Sequence, residues 1–251
     1  MSAIIETHNL SKTYGPFGAL HRLSICVPEG SVFALMGASG AGKTTAIKTL
    51  LNILPPTDGT ATILGVDSRA IGPAVLSQIG YVSENQAMPP RLRVDQFFEY
   101  LRSCYARWDR GLEEQLRSQF RLPPNRRIGA LSHGMRLKMA LACALPFRPR
   151  LLILDEPLSG LDALARDEII GGFLGRERAM TILISSHELD EVERLATHVA
   201  FLHEGKLLFQ GSVAELREHA RSLQPATTPD DAKRHSLRAI FIALVRAAQF
   251  K

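Results

Sequence analysis

The chain is poor in cysteine, in long apolar runs and in export signals. Its three cysteines, Cys26, Cys104 and Cys143, are far apart and odd in number, and none stands in a CxxC or Cys/His spacing. That argues against a disulfide framework or a zinc site; reduced thiols in a cytosolic compartment are the simplest reading. No apolar stretch approaches the roughly 20 residues that a bilayer-spanning helix needs. The opening MSAIIETHNL has no basic segment followed by a long apolar one, so no secretory signal is expected. Nor is there a strong charge imbalance, since 30 Lys and Arg face 25 Asp and Glu, for a net charge of +5.

What is present fits a globular protein. Hydrophobic residues make up 45% of the chain and charged residues 22%, a balance that supports a packed core rather than disorder. A length of 251 residues suits one large domain, alone or with a small appendage. Nine arginines fall between Arg91 and Arg127. They fit a solvated helical face, or contact with nucleic acid, an anionic membrane surface or an acidic partner.

Short β-type runs recur at Ile4–His8, Leu23–Val27, Val32–Met36, Thr60–Leu64 and Ile79–Val82, then at Leu151–Leu154, Thr181–Ser185, His198–His203 and Lys206–Phe209. Those at 32–36, 151–154 and 181–185 are apolar throughout, as expected of strands covered on both faces of a parallel sheet. Periodicity predicts helices at about 43–54, 94–106, 112–121, 134–147, 163–176 and 188–196. The alternation predicts an α/β fold with a mixed sheet, the early strands forming a small antiparallel layer. Residues 86–130 carry no strand pattern and are bracketed by Pro89-Pro90 and Pro123-Pro124. They read as an inserted helical subdomain, extending into a helix that ends near 147, within a core of 1–85 and 131–221. A polar, proline-containing linker follows at 222–234. Residues 235–251 form a last helix, whose Leu237, Ile240, Phe241, Leu244, Val245 and Ala248 share one face. That face docks on the chain itself or on a partner.

Three stretches carry chemistry. Gly37-Ala38-Ser39-Gly40-Ala41-Gly42-Lys43-Thr44-Thr45 fits G-x-x-x-x-G-K-[ST] between an apolar strand and a helical pattern. Glycines let backbone N–H groups curl around phosphate oxygens, and the helix that follows adds its positive end. Lys43 supplies a charge to the β- and γ-phosphates, and the Thr44 hydroxyl can ligate Mg²⁺. The motif marks a nucleoside triphosphate site. Leu151–Leu154 then runs into Asp155-Glu156; Asp155 can orient Mg²⁺ and Glu156 can polarise a water for attack on the γ-phosphate, unless both merely cap a helix. Thr181–Ser185 ends in Ser186-His187, and a histidine placed there can sense the γ-phosphate.

In this order the pieces resemble the nucleotide-binding subunit of ATP-binding cassette (ABC) transporters, over roughly residues 4–215. The resemblance implies a P-loop NTPase core. It makes Gly37–Thr45 the Walker A loop, Leu151–Asp155 Walker B, Glu156 the catalytic glutamate and His187 the switch histidine. Tyr14, in Ser11-Lys12-Thr13-Tyr14-Gly15, matches the aromatic that stacks on adenine. Ser159, Gly160, Leu161 and Asp162 match the D-loop. The family signature lies about 20 residues before Walker B, where Leu131-Ser132-His133-Gly134-Met135 stands. The family assembles as a head-to-tail dimer, in which Ser132, His133, Gly134 and Met135 would face the partner's ATP.

Two features, Glu84 and the signature, depart from the family pattern. Glu84 stands where glutamine is usual; it can still reach Mg²⁺ and the attacking water, so Thr44, Glu84 and Asp155 form the expected metal set. His133 replaces the signature's first glycine and Met135 its glutamine. His133 is either a tolerated side chain facing solvent or an added donor to phosphate. Glu84, the segment Tyr105-Ala106-Arg107-Trp108-Asp109 and the tail helix resemble a branch of single-cassette exporters.

These features predict an ATPase using ATP and Mg²⁺, paired with a second cassette subunit, identical or different, and with integral membrane permease subunits. It would be cytoplasmic, held at the inner face of the membrane by its permease, with no nucleic-acid partner expected. The rivals are a soluble ABC ATPase acting on the ribosome or nucleic acid, and a small-molecule P-loop kinase.

Overall fold

Along Ala-Ile-Ile-Glu-Thr-His-Asn-Leu, burial of Ile4, Ile5, Thr7 and Leu10 makes β1 (Ala3–Tyr14) a half-covered strand. It pairs antiparallel with β2 (Phe17–Leu23), β3 (Cys26–Pro28) and β5 (Asp58–Ile63), and β5 with β6 (Val66–Asp67). This is the antiparallel layer the pattern predicts. The strand expected at Leu23–Val27 is corrected, because Leu23 closes β2 and Cys26 opens β3. Buried Thr7 explains the break: its Oγ1 donates to the Leu23 carbonyl (2.9 Å) and accepts from the Ile25 N–H (2.9 Å), standing in for ladder bonds.

A computed structural model of the chain describes residues 2–161, 163–169, 180–188, 193–223 and 237–249. These fall into two units, 1–71 with 181–251, and 72–180. In the first, the apolar run Val32–Met36 is β4, flanked in parallel by β9 (Thr181–Ser186) and β10 (His198–His203); β11 (Lys206–Ser212) closes the edge antiparallel to β10. Helix α1 (Lys43–Leu50) follows β4 across the loop Gly37–Gly42. Helix α7 (Val213–Leu223) was missed by periodicity, yet its start carried a signal: Ser212 and Glu215 form reciprocal bonds, Ser212 N–H to Glu215 Oε2 and Glu215 N–H to Ser212 Oγ. Helix α8 (Leu237–Gln249) docks on its own unit, with Ile240 buried and the Phe241 ring 5.2 Å from Phe201. The linker residues 224–234 lie outside the described residues, as do parts of the helices expected at 163–176 and 188–196.

The second unit holds the parallel pair β7 (Ile79–Ser83) and β8 (Leu151–Asp155) with helices α2 (Pro73–Leu76), α3 (Val94–Cys104), α4 (Arg110–Gln119), α5 (His133–Ala144) and α6 (Ala163–Ile169). Helices α3 and α4 are joined by a buried polar hub. Glu113, only 1% exposed, accepts from Arg102 Nε (2.7 Å) and Nη2 (2.6 Å), from Trp108 Nε1 (2.8 Å) and from Arg117 Nη1 (3.2 Å). Burial alone would raise its pKa, but those donors hold the carboxyl below the usual range. The tract around Trp108 supplies the rest of the joint. Tyr105 stacks on Phe147 at 4.2 Å, and Asp109 caps α4 through the Leu112 N–H (2.9 Å).

Candidate active site

In the first unit the site begins where β4 ends. Met36 registers with Ser186 of β9, and the Gly37 N–H donates to the Ser186 carbonyl (3.4 Å), so His187 follows directly beside the start of the loop. At Gly42, φ is +104° and an added Cβ would lie 2.5 Å from the Ala19 carbonyl, so only glycine fits there. The loop is braced again by the Gly205 N–H, which donates to the Ala41 carbonyl (3.0 Å). Lys43, 5% exposed, points back into the loop and donates to the carbonyls of Gly37 (2.7 Å) and Ala38 (3.0 Å). The ammonium is thereby held at the mouth of the peptide cradle that Gly37–Gly42 builds ahead of α1.

Tyr14 ends β1, paired with Phe17 across the hairpin and 47% exposed, with Lys12 Nζ 5.3 Å above its ring. The same hairpin carries Ala19 and Leu20, which press on Gly42. Tyr14 and the phosphate loop are thus brought together by one turn of chain. Lys12 was not foreseen; its spacing two residues before an exposed tyrosine on a strand was the available signal.

In the second unit, Ser83 registers with Asp155, and the Glu84 N–H donates to the Asp155 carbonyl (2.9 Å). Glu84, Asp155 and Glu156 therefore share one end of the β7–β8 pair. Asp155 is 4% exposed, and burial, then the Asp155 charge, pushes the Tyr81 phenol up. Glu156 has φ +50°, an uncommon region for a side-chain-bearing residue and one that clusters at functional positions. The turn after it is closed by the Ser159 N–H to the Glu156 carbonyl (3.4 Å).

Ser132 is the N-cap of α5, its Oγ accepting from the Met135 N–H (3.2 Å). Gly134 and Met135 lie in the first turn. The His133 imidazole is half-buried, and its Nε2 lies 3.1 Å from the Ser159 carbonyl, so it is turned toward that turn rather than standing out in solvent. Of the stretch 159–162, Ser159, Gly160 and Leu161 are placed, and Asp162 lies outside the described residues. A cleft of about 190 Å³ is lined by Ser83, Glu84, Asn85, His133 and Arg136 among others. Arg136 was not singled out from sequence; it is fixed by donating to the Leu131 carbonyl (2.8 Å). A second cleft of similar size is lined by Tyr81, Met88, Phe97, Leu101, Tyr105 and Phe147.

A phosphate-binding loop with a buried lysine, beside a strand ending in serine and histidine, and a separate strand ending in two acids define a P-loop ATPase of the cassette type. The family model for ABC transporters matches residues 20–159, and the chain belongs to that family. Over 225 residues it is 33% identical to the bacitracin transport ATP-binding protein BcrA of Enterococcus faecalis, across 88% of this chain and 73% of that one. It is 34% identical to BcrA of Bacillus licheniformis, across 88% and 74%. A solved ATP-binding subunit of an ABC transporter superposes with a TM-score of 0.82 at 27% identity, covering 96% of this chain and 99% of that one. The protein is an ABC transporter ATP-binding subunit and an ATPase.

If Tyr14 stacks on the base, Tyr14→Ala should raise the KM for ATP roughly tenfold, as loss of one aromatic stack does, with kcat little changed. Because every base has a π-face, GTP should lose as much as ATP. Steady-state titration with both nucleotides checks this; an unchanged KM would remove Tyr14 from the site.

Proposed function

We propose that the chain dimerises head to tail on ATP and drives a separate membrane permease in the export direction. The observation that supports ATP as its fuel is the braced Walker A loop, with Lys43 turned onto its carbonyls and Ser186-His187 at its start; the dimer and the permease are inferred from membership of the ABC transporter family. The backbone N–H groups of Gly37 to Thr45 would hold the phosphates, Lys43 the β- and γ-oxygens and Tyr14 the adenine. Glu156 would take a proton from the attacking water, and His187 would contact the γ-phosphate. Ser132, Gly134 and Met135, with His133 beside them, would present the start of α5 to the partner's nucleotide.

The donors for a metal are hard oxygens, namely the Thr44 hydroxyl and the Asp155 and Glu84 carboxylates. That set suits Mg²⁺, which keeps several waters and leans on substrate phosphates. Among the described residues no three His, Cys, Asp or Glu side chains converge into a metal cage; a phosphate-bound Mg²⁺ needs none. When bound, Mg²⁺ neutralises charge on the transferring phosphoryl group.

No described helix is long and apolar enough to cross a membrane. In this reading a permease supplies the membrane path, and the cleft lined by Phe97 and Tyr105 receives its cytoplasmic element. Peripheral attachment at the inner face of the membrane follows from that reading. The BcrA relatives, named as bacitracin transport ATP-binding proteins, support a role in transport. The test is to express the tagged chain, isolate intact membranes and identify what co-purifies. The expected result is one permease, together with ATP turnover that falls at least about a hundredfold in Lys43→Ala, as for loss of a preorganised charge. Recovery of the chain free of membranes would overturn the transport reading.

One observation favours a second reading, an ABC ATPase that acts on RNA. Arg93 and Arg127 face each other across an antiparallel bridge, with Arg91 and Arg126 exposed nearby. Like charges placed opposite one another repel, and among the described residues no carboxylate pairs with Arg91, Arg126 or Arg127. Tight RNA binding that weakens steeply with salt would decide for this reading.

A further inference from the structure

His133 stands where the family signature carries glycine, so the family pattern assigns its imidazole no role. It has a defined partner. Nε2 lies 3.1 Å from the carbonyl oxygen of Ser159, 26 residues away in sequence. A carbonyl can only accept, so Nε2 carries the proton. The ring also lies against the next residue, since a Cβ added to Gly160 would sit 3.7 Å from Nε2. Ser159 in turn donates its N–H to the carbonyl of Glu156 (3.4 Å). Two hydrogen bonds thus connect the first residue of α5 to the backbone of the glutamate that takes the water's proton, all within one subunit.

We infer that His133 is a positioning residue: it ties the turn 156–160 to the start of the signature helix and so sets where Glu156 stands. The inference rests on the reading of Glu156 as general base. Both the neutral Nε2–H tautomer and the imidazolium donate at this atom, so the tie does not depend on the charge of the ring. Glutamine can place an amide N–H near the position of Nε2. Asparagine is too short and reaches only the position of Nδ1. Glycine leaves the Ser159 carbonyl to water.

The test uses the full chain with His133→Gln, His133→Asn and His133→Gly. Hydrogen exchange of the peptide covering 157–161 reports the tie without reference to activity. Exchange should quicken in the Asn and Gly variants and stay at the wild-type rate in His133→Gln. ATP titrations should show kcat lowered about three- to tenfold in Asn and Gly, the worth of one hydrogen bond, with KM unchanged and kcat restored in Gln. The thermal midpoint checks that the fold is intact, because the Ser132 cap of α5 does not involve the imidazole. Wild-type exchange at 157–161 in His133→Asn, or failure of Gln to rescue exchange, overturns the inference. Should Glu156→Gln keep its turnover, the general-base reading fails instead, and the exchange data still decide whether the tie exists.

Discussion

Replacing Glu156 with glutamine should cut ATP turnover at least about a hundredfold, the usual worth of a positioned general base, with ATP affinity essentially unchanged. The amide has the same reach and shape as the carboxylate but cannot take a proton from water. Nothing else in the neighbourhood needs to move: Asp155 stays in register with Ser83, and the Glu84 N–H keeps its bond to the Asp155 carbonyl. The loss therefore falls on kcat alone, in contrast to Tyr14→Ala, where it falls on KM. Under the dimer proposal the same variant should accumulate with ATP as a species of twice the mass by gel filtration. Single-turnover phosphate release is the deciding measurement. A variant retaining more than a tenth of wild-type turnover would take Glu156 out of the chemistry.

The second large effect concerns stability. Glu113→Ala should destabilise the helical part of residues 72–180 by about 3–5 kcal/mol, the cost of removing one member of a buried charge network. In thermal terms this is a fall in midpoint of roughly 10 °C. The alanine leaves the Arg102 fork, the Trp108 indole N–H and one Arg117 donor without their acceptor. An exposed pair such as Arg69 with Asp67 should by comparison contribute little. The pH sense follows from the depressed carboxyl. Its stabilisation is fully present above the unfolded-state pKa of about 4.3 and is lost as pH falls through the lower folded value. Melting curves of wild type and Glu113→Ala should therefore stay apart above pH about 4.3 and draw together only as pH falls below it. A gap that stays constant into acid would show that the network does not work through the ionised carboxylate.

The phosphate loop was legible because its physics is local. A glycine spacing, one lysine and the strand before it sit within a dozen residues. Strands β4, β8 and β9 were legible because runs covered on both faces leave no polar residue to confuse the pattern. The second half of β1 was not, since Ser11, Lys12 and Thr13 are polar and none of them is fully buried. What it does there, carrying Tyr14 to the hairpin that presses on Gly42, appears only when β2 folds back. Glu113 reads in sequence as one more solvated acid on a helix. Its burial is created by Arg102, eleven residues earlier, and by an indole between them. His133 was open between two roles because both were sought in solvent or ligand, and its partner at Ser159 is set by tertiary packing alone.

The left-handed backbone of Glu156 has a consequence for how this protein can be improved. Such a conformation costs a residue with a Cβ on the order of 1 kcal/mol or more, and glycine pays almost none of it. A library screened only for resistance to heat would therefore be drawn toward Glu156→Gly, and a folding reporter would score that drift as success. The clone so selected would be sturdier than its parent and, if Glu156 is the general base, would have lost most of its ATP turnover.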